Sequence, residues 1–449
     1  MDVLSVIRGA VGLLLILGIA FLFSANKKSV NWRLVGMGLL IQLIFAVFII
    51  HSETLRAWFF PLGWLKDIVN WLGAAIVALL GFTLEGSKFV FGKLGASTGS
   101  DSLGFFFAFQ VLPTIIFVSS LAALLYHLGI LQAVVKGMAW VMAKLLGTSG
   151  AETLSNAANV FLGQTEAPLL VRPYIQTMTQ SELLTIMIGG MATISAALIA
   201  TYSLMLGQAY AEFHHIAVDT AQLKFAVSLL AASTMAFPGS MVIAKILFPE
   251  DGDPVTKGTV KLKIPKKDAN VIDAAATGAG DGLWLALNVA AMLLAFIALI
   301  ALFNSALIWL GNVTSLNIML VKNFGQPLSM QLIFGMLLQY IAMGIGVPVH
   351  DALNFGSLIG TKTVLNEFVA YLDLTTMIKN GVLSEKGITM ATYALCGFAN
   401  FSSIAIQIGG IGPMAPDRKK DIASFGLKAV LGGCLATLMT ATLAGILTQ

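Results

Sequence analysis

Two acidic side chains stand where the surrounding sequence is almost wholly apolar. Glu166 lies in NAANVFLGQTEAPLLVRP (156–173), with Asn159, Gln164, Thr165 and Arg172 as polar companions. Glu367 lies in GTKTVLNEFVAY (360–371), directly after Asn366. An unpartnered carboxylate in apolar surroundings costs several kcal/mol, so such residues face a cavity or a solute path. Gly163 and Pro168 bracket the first cluster and suggest two short helices meeting at a tip. A re-entrant hairpin of that kind is tolerated only where its free backbone groups line a cavity or are buried in protein. The plainer alternatives are a loop in which Glu166 pairs with Arg172 and, around Glu367, a solvated helix end beside Lys362.

Two other stretches carry polar groups inside apolar runs. In CGFANFSS (396–403), Asn400 and Ser403 are three residues apart and share one helix face. Ser402 reads better as helix packing. In GGMATIS (189–195), Gly189, Gly190, Thr193 and Ser195 permit local unwinding, which frees carbonyl oxygens for a cation. Close packing of small residues between membrane helices explains this string equally well. His214 and His215 read as solvated loop residues, and His350-Asp351 has no nucleophile motif beside it. Cys396 and Cys434 sit in apolar runs without metal-ligand or CxxC spacing, so a disulfide or zinc site is not expected. No phosphate-binding or hydrolase string accompanies these residues.

The elements that must position these groups follow from composition. The 449 residues are 57% hydrophobic and 11% charged, with 44 glycines, and mean hydropathy is +0.89. A soluble domain carries roughly a quarter charged residues. With so few charges the chain is a polytopic membrane protein, which excludes a soluble enzyme, a nucleic-acid binder and a disordered scaffold. The net charge of +4 resides in short basic loops, which are topology signals rather than a phosphate-binding surface.

A bilayer core of about 30 Å needs about 20 apolar residues as helix. Eight charge-poor runs satisfy this, at 9–25, 34–50, 104–135, 183–211, 225–244, 282–321, 387–416 and 429–449. The first reads as a retained helix, since no basic segment precedes it. Lys27, Lys28 and Arg33 place the first loop in the cytoplasm. Lys257, Lys261, Lys263, Lys266 and Lys267 after the fifth run, and Arg418, Lys419 and Lys420 after the seventh, agree with that register. Both termini are then expected outside. Residues 57–80, with Trp58, Trp64 and Trp71, and residues 129–145 read as interfacial helices, and 330–349 as a flat or re-entrant segment.

Two blocks line up as an inverted repeat, the build of secondary transporters. Residues 1–103 precede them as N-terminal helices. The first repeat covers 104–248 with a hairpin at about 152–180, and 249–281 is a cytoplasmic loop with an interfacial segment. The second repeat covers 282–449 with a hairpin at about 350–380. The expected fold class is therefore an all-α polytopic membrane protein with eight transmembrane helices, two re-entrant helical hairpins and interfacial helices.

The strings GQTEAPLLVRPYI, NEFVAY, CGFANFSSIAI, NVIDAAATGAGDGLWLALNVAAMLLAF and GGIGPMAPDRKKDIA resemble the concentrative nucleoside transporter family, in order and over essentially the whole chain. The resemblance implies a homotrimer in a bacterial inner membrane and elevator-like alternating access. It implies a secondary active symporter importing nucleosides, with uridine and other pyrimidine nucleosides as substrates, and with sodium as coupling ion and no other cofactor. Carried over by motif, Gln164, Thr165 and Glu166 meet the nucleobase, and Glu367, Asn400 and Ser403 hold the ribose. Phe398 and Leu198 cover the sugar and base. Asn159 and Thr193 side chains with the carbonyls of Leu162 and Ile194 form an all-oxygen sodium set, as a hard cation requires. Thr193 stands where the family pattern has serine, which keeps the hydroxyl. The alternatives are a proton-coupled symporter, a passive channel, and an intramembrane enzyme using Glu166 and Glu367.

Overall fold

The computed structural model describes residues 3–50, 64–96, 103, 106–257 and 269–448. Helices account for nearly all of them, in the order set by the apolar runs. Helices α1 (Val3–Leu22) and α2 (Trp32–Ile50) form the opening hairpin, and α3 spans Trp64–Phe91. A single turn leads into α4 (Leu112–His127), which Gly129 separates from α5 (Ile130–Leu146). Gly129 and Gly147 flank α5 in left-handed backbone, at φ 80° and 68°, a conformation open to glycine but strained for side chains with a Cβ. That break converts one long apolar run into a membrane-length helix and an amphipathic one, as 129–145 predicts.

The first hairpin comprises α6 (Gly150–Ala158) and a return through Ala167–Val171 and Arg172–Ile175. Then come α7 (Gln180–Ala192), a break at Thr193–Ser195, α8 (Ala196–His214) and α9 (Val218–Leu247). The second half repeats this order. Helix α10 (Val271–Val313) leads through α11 (Leu316–Phe324) and α12 (Met330–Gly344) to a hairpin of α13 (Ala352–Val364) and α14 (Glu367–Lys379). A second broken pair, α15 (Glu385–Leu395) and α16 (Phe401–Ile411), precedes the last helix, α17 (Lys419–Leu447).

Side-chain caps fix several of these starts. Ser149 with Glu152 and Thr179 with Glu182 form capping boxes on α6 and α7. Asn366 and Asn400 cap α14 and α16. Each of these caps takes up one of the backbone N–H groups left free where its helix begins.

Among the described residues eight helical stretches are long and apolar enough to cross a membrane, the number expected, but the membership differs. The segment assigned to the interface at 57–80 is instead most of α3, whose 28 residues make it long enough to cross. Its Gly73 meets Leu223 and Val227, and its Ser87 donates to the carbonyl of Phe109, so it leans across the starts of α9 and α4. Trp58, and with it 57–63, lies outside the described residues, as do Lys261, Lys263, Lys266 and Lys267. The run 387–416, expected as one span, is two short helices. The run 282–321 is divided between α10, which takes it to Val313, and α11; the 43 residues of α10 extend about 64 Å at 1.5 Å per residue. That is about twice the apolar thickness of a bilayer. Helix α12, at 15 residues, is too short for a simple span, in keeping with the flat assignment of 330–349.

Helices α7, α8, α9 and α17 form the buried centre, whereas α1, α3 and α10 turn most of their side chains outward. Small residues set the closest contacts. A Cβ on Gly189 would fall 1.3 Å from Oδ1 of Asn156, so the Asn156 amide of α6 lies directly against the backbone of α7. The two chain ends lie together, with Gly9 packed on Ile446 and Lys386 reaching Ser5. At the opposite end, Ala25 bonds the carbonyl of Leu247 and Arg418 bonds that of Met178. Lys27, Lys28, Arg33 and Arg418–Lys420 therefore gather at the end of the bundle away from both termini.

Candidate functional site

Each hairpin tip and each helix break ends in the same place. Gln164, Thr165 and Glu166 of the first tip, Asn366 and Glu367 of the second, Leu198 of α8, and Phe398, Asn400 and Ser403 around the α15–α16 break all line one cavity of about 180 Å³. All eight residues assigned to substrate from the sequence thus meet. A long apolar side completes the wall, from Leu285, Val289, Met292 and Leu293 of α10. Glu166, Ser195 and Leu285 also line a larger space of about 630 Å³ bordered by Tyr126, Arg172, Thr277 and Asp281. These three residues stand between the cavity and this second space, which lies between α4, α10 and the first hairpin.

The polar groups are tied to one another before any solute arrives. Gln164 Nε2 donates to Ser403 Oγ at 3.0 Å, and its Oε1 accepts from Gln407 Nε2 at 3.1 Å. Gln407 is fixed in turn by the carbonyl of Met187, at 2.9 Å. Glu367 accepts from Asn400 Nδ2 at 2.9 Å on one oxygen and from the Tyr202 hydroxyl at 3.4 Å on the other. Asn400 Oδ1 accepts from the Ser403 amide and from Ser402 Oγ, so Ser402 belongs to the site rather than to packing alone. Glu166 is held by the backbone N–H of Gly163, and not by Arg172. Tyr202 stacks on Tyr371 with ring centroids 4.2 Å apart, and Phe368 meets its edge at 5.2 Å. This aromatic bracket fixes Glu367, which is 6% exposed.

Chemically, this is a preorganised set of donors and acceptors on an apolar floor. A carboxylate offers about four lone-pair sites, and Glu367 uses two on its neighbours. The remaining acceptor capacity suits a pair of hydroxyls. Glu367 is also the first residue of α14 and Asn400 caps α16, so both stand at positive helix ends. Among the described residues no group of three or more His, Cys, Asp or Glu side chains is placed to hold a metal.

The four residues assigned to sodium lie on two neighbouring segments, the turn after α6 and the α7–α8 break. Asn159 is fully buried at the end of α6, and neither Oδ1 nor Nδ2 of its amide has a hydrogen-bond partner among the described residues. An orphaned buried amide is costly unless something binds it. Leu162 lies in the turn after α6, and Thr193 and Ile194 lie in the α7–α8 break, where helical bonding is interrupted. The carbonyl of Phe161 accepts from Ala196, which locks that turn to the start of α8. Thr193 donates its proton to the Gly189 carbonyl at 2.9 Å, leaving its oxygen lone pairs for a cation. A set of neutral oxygens with no acid fits a monovalent hard cation.

Several sequence expectations change. Lys362 is not at a solvated helix end: it is 1% exposed and donates to the carbonyl of Ala394 and the hydroxyl of Thr437. His214 is not a free loop residue, since it stacks on Tyr210 and approaches Glu385 at 3.0 Å. Gln407 and Tyr202 were not singled out. Gln407 had a signal, an amide inside IAIQIGG, whereas a tyrosine in an apolar helix gives none.

Comparisons with known proteins bear on the same residues. The family descriptions "Na+ dependent nucleoside transporter N-terminus", "Nucleoside recognition" and "Na+ dependent nucleoside transporter C-terminus" match residues 11–94, 108–209 and 228–445. An uncharacterized transporter of Bacillus subtilis, YutK, is 42% identical over 99% of this chain and 100% of its own length. Human sodium/nucleoside cotransporter 1 is 37% identical over 96% of this chain and 62% of its own. The solved structure of CNTnw in an inward-facing, substrate-bound state superposes with a TM-score of 0.84 at 38% identity, covering 99% of both chains. A doubly substituted form in an outward-facing state gives 0.83, at 98% of this chain and 97% of that one. These neighbours are transporters caught at different stages of alternating access, not enzymes. The chain belongs to the concentrative, Na+ dependent nucleoside transporter family and is a multi-pass membrane transporter of its elevator-type fold.

Proposed function

We propose that the protein imports nucleosides, uridine and other pyrimidine nucleosides foremost, in symport with sodium. The observation that carries this is the convergence of both hairpin tips and both helix breaks on one cavity of about 180 Å³. A nucleoside is uncharged but rich in donors and acceptors, so amides, hydroxyls and one carboxylate suit it better than a charge trap. Gln164 and Thr165 meet the base, with Glu166 beside them at the mouth. Glu367, Asn400 and Ser403 take the ribose, the carboxylate accepting both hydroxyls of the diol, while Phe398 and Leu198 cover sugar and base. Such a site rejects analogues lacking those hydroxyls, because its buried polar groups are then left unpaired. The small volume beside Leu198 favours a single-ring base.

Sodium is the favoured coupling ion because Asn159, Thr193 and the carbonyls of Leu162 and Ile194 offer neutral oxygens and no titratable group. Coupling follows from chain connectivity. Asn159 and the Gln164–Glu166 triplet belong to the same short tip, so ordering the tip around a cation also sets the donors for the base. The repeats at 104–248 and 282–449 supply the mobile hairpins and broken helices, and the N-terminal helices with α10 supply the scaffold. The assembly is a homotrimer in the lipid bilayer of a bacterial inner membrane, with the basic end of the bundle in the cytoplasm and both termini outside.

Purified protein in liposomes is expected to accumulate labelled uridine only under an inward sodium gradient. Asn159→Leu should abolish the sodium requirement together with accumulation, and Glu367→Gln should weaken uptake at least tenfold. Uptake unchanged when choline replaces sodium at constant pH would falsify the coupling; uptake driven by a pH gradient instead would assign it to protons. Competition by purine and 2′-deoxy nucleosides as strong as that by uridine would overturn the substrate range.

A further inference from the structure

The sodium position of the first repeat is made where two helices end. Helix α6 finishes at Ala158, with Asn159 as its cap, and α7 finishes at Ala192, with Thr193 as its cap. A helix C-terminus carries unpaired carbonyls and a partial negative charge. Two such ends brought together want a cation, and in the first repeat an ion can come and go.

The second repeat has the same pair of helix ends. Helix α13 finishes at Val364 and α15 at Leu395. Here the chain supplies its own positive charge. Lys362, in the last turn of α13, sends its Nζ to the carbonyl of Ala394 at 2.8 Å and to Thr437 Oγ1 of α17 at 3.0 Å. Ala394 is in the last turn of α15, so its oxygen is one of the carbonyls that no helical N–H reaches. Lys362 precedes the tip acid Glu367 by five residues, and Asn159 precedes Glu166 by seven, the same part of each hairpin. The two breaks also touch. A Cβ on Gly397, just past α15, would sit 2.8 Å from both the Met191 carbonyl of α7 and Thr437 Cγ2.

The geometry points to Lys362 as a tethered cation. Its ammonium takes, in the second repeat, the place that sodium takes in the first, so each cycle couples one nucleoside to one sodium ion. An ammonium is a compact point charge with three donors, and a buried one persists only when it is bonded or paired. Lys362 is therefore a positioning residue. It holds the second hairpin tip, with Glu367, against the break that carries Asn400, and its charge beside the touching breaks keeps a second ion out. The inference rests on the sodium reading above.

The test is co-uptake of radiolabelled sodium and uridine into proteoliposomes, with sodium titrated at fixed uridine, for the wild type, Lys362→Arg and Lys362→Gln. The wild type should carry one sodium per uridine with a Hill slope of one. Lys362→Arg keeps the charge and should keep both values. Lys362→Gln keeps hydrogen-bond donors but loses the charge. It should shift half-saturating sodium at least tenfold and raise the slope above one. A glutamine variant with reduced uptake but an unaltered sodium curve marks Lys362 as a mere structural anchor and overturns the inference. So does a wild-type ratio of two sodium ions per uridine, which needs no variant to fold. Uptake independent of sodium in the wild type is a different result, since it refutes the sodium reading itself.

Discussion

The side-chain amide of Asn400 reaches Oε2 of Glu367 at 2.9 Å, joining the break between α15 and α16 to the tip of the second hairpin. Asn400 holds this place while its own Oδ1 caps α16 through the Ser403 amide. One residue thus terminates a break, starts a helix and orients the acid.

Replacing Asn400 by aspartate sets a second carboxylate against Glu367 in a buried site. Like charges there cannot both ionise without a large penalty. The lost charge-assisted bond alone is worth about 1.5–3 kcal/mol, so uridine KM should rise at least tenfold. Uptake kinetics of Asn400→Asp beside the wild type measure this. The aspartate still caps α16, so the protein should remain folded, and an unchanged KM would show that the ribose does not sit here.

Gln407 holds the carbonyl end of Gln164 and so decides which way that amide presents its donor. Gln407→Leu should free Gln164 to turn and reduce discrimination among bases. Competition assays should show purine and pyrimidine inhibition constants drawing together by at least threefold, with the sodium dependence intact. A uniform loss for every nucleoside would argue that Gln407 only packs.

At Gly189, even an alanine has no room. Its Cβ would fall 1.3 Å from Asn156 Oδ1, and Asn156 is itself tied to the carbonyl of Glu152. Overpacking of this kind costs about 1–3 kcal/mol. Gly189→Ala should lower the midpoint of thermal unfolding in detergent by several degrees. Gly36, with open space at its Cβ, provides the control, and Gly36→Ala should leave the midpoint unchanged.

Glu385 gathers Lys224 at 2.9 Å, the Tyr210 hydroxyl at 2.9 Å and His214 at 3.0 Å, linking α8, α9 and α15 at the end of the bundle that holds both termini. Partial burial pushes its carboxyl upward, but the Lys224 bond and charge and the Tyr210 hydroxyl outweigh it and hold the group below the ordinary 4.5. A depressed acid stabilises the fold above its unfolded value, and that contribution is lost as pH falls through the folded one. Melting curves should therefore show the wild type above Glu385→Gln at pH 6 and the two converging below pH about 4. The side chain is 47% exposed, so the gap should be small and should shrink with salt. A gap that widens on acidification would refute the assignment.

The site was largely legible in the sequence because lipid makes polar residues conspicuous. Gln164, Glu166, Glu367 and Asn400 each interrupt an apolar run, and nothing but a cavity excuses them. Tyr202 escaped notice because its ring satisfies the apolar pattern and only its hydroxyl reaches Glu367. Lys362 misled in the opposite way. A lysine two residues from a helix end normally snorkels to water, and only the tertiary approach of Ala394 and Thr437 turns it inward. Break positions were less legible than spans. The 387–416 run contains no internal proline before Pro413, so the interruption at Cys396–Asn400 rests on the Asn400 cap and on contacts made by Gly397. The length of α3 was missed because Trp58, Trp64 and Trp71 read as the mark of an interfacial helix.

Among the described residues, the hydrogen bonds of the binding cavity lie within and between hairpins and half-helices, while Leu285, Val289, Met292 and Leu293 of α10 contribute apolar side chains alone. On the elevator reading proposed above, that wall serves as a greased rail. A loaded cradle that slides along it leaves no directional bond behind and has none to re-form, so what the cargo is recognised by travels with the cargo. Selectivity and passage are thereby assigned to different surfaces. Substitutions along α10 should alter how fast the cradle moves and leave untouched which nucleoside it chooses.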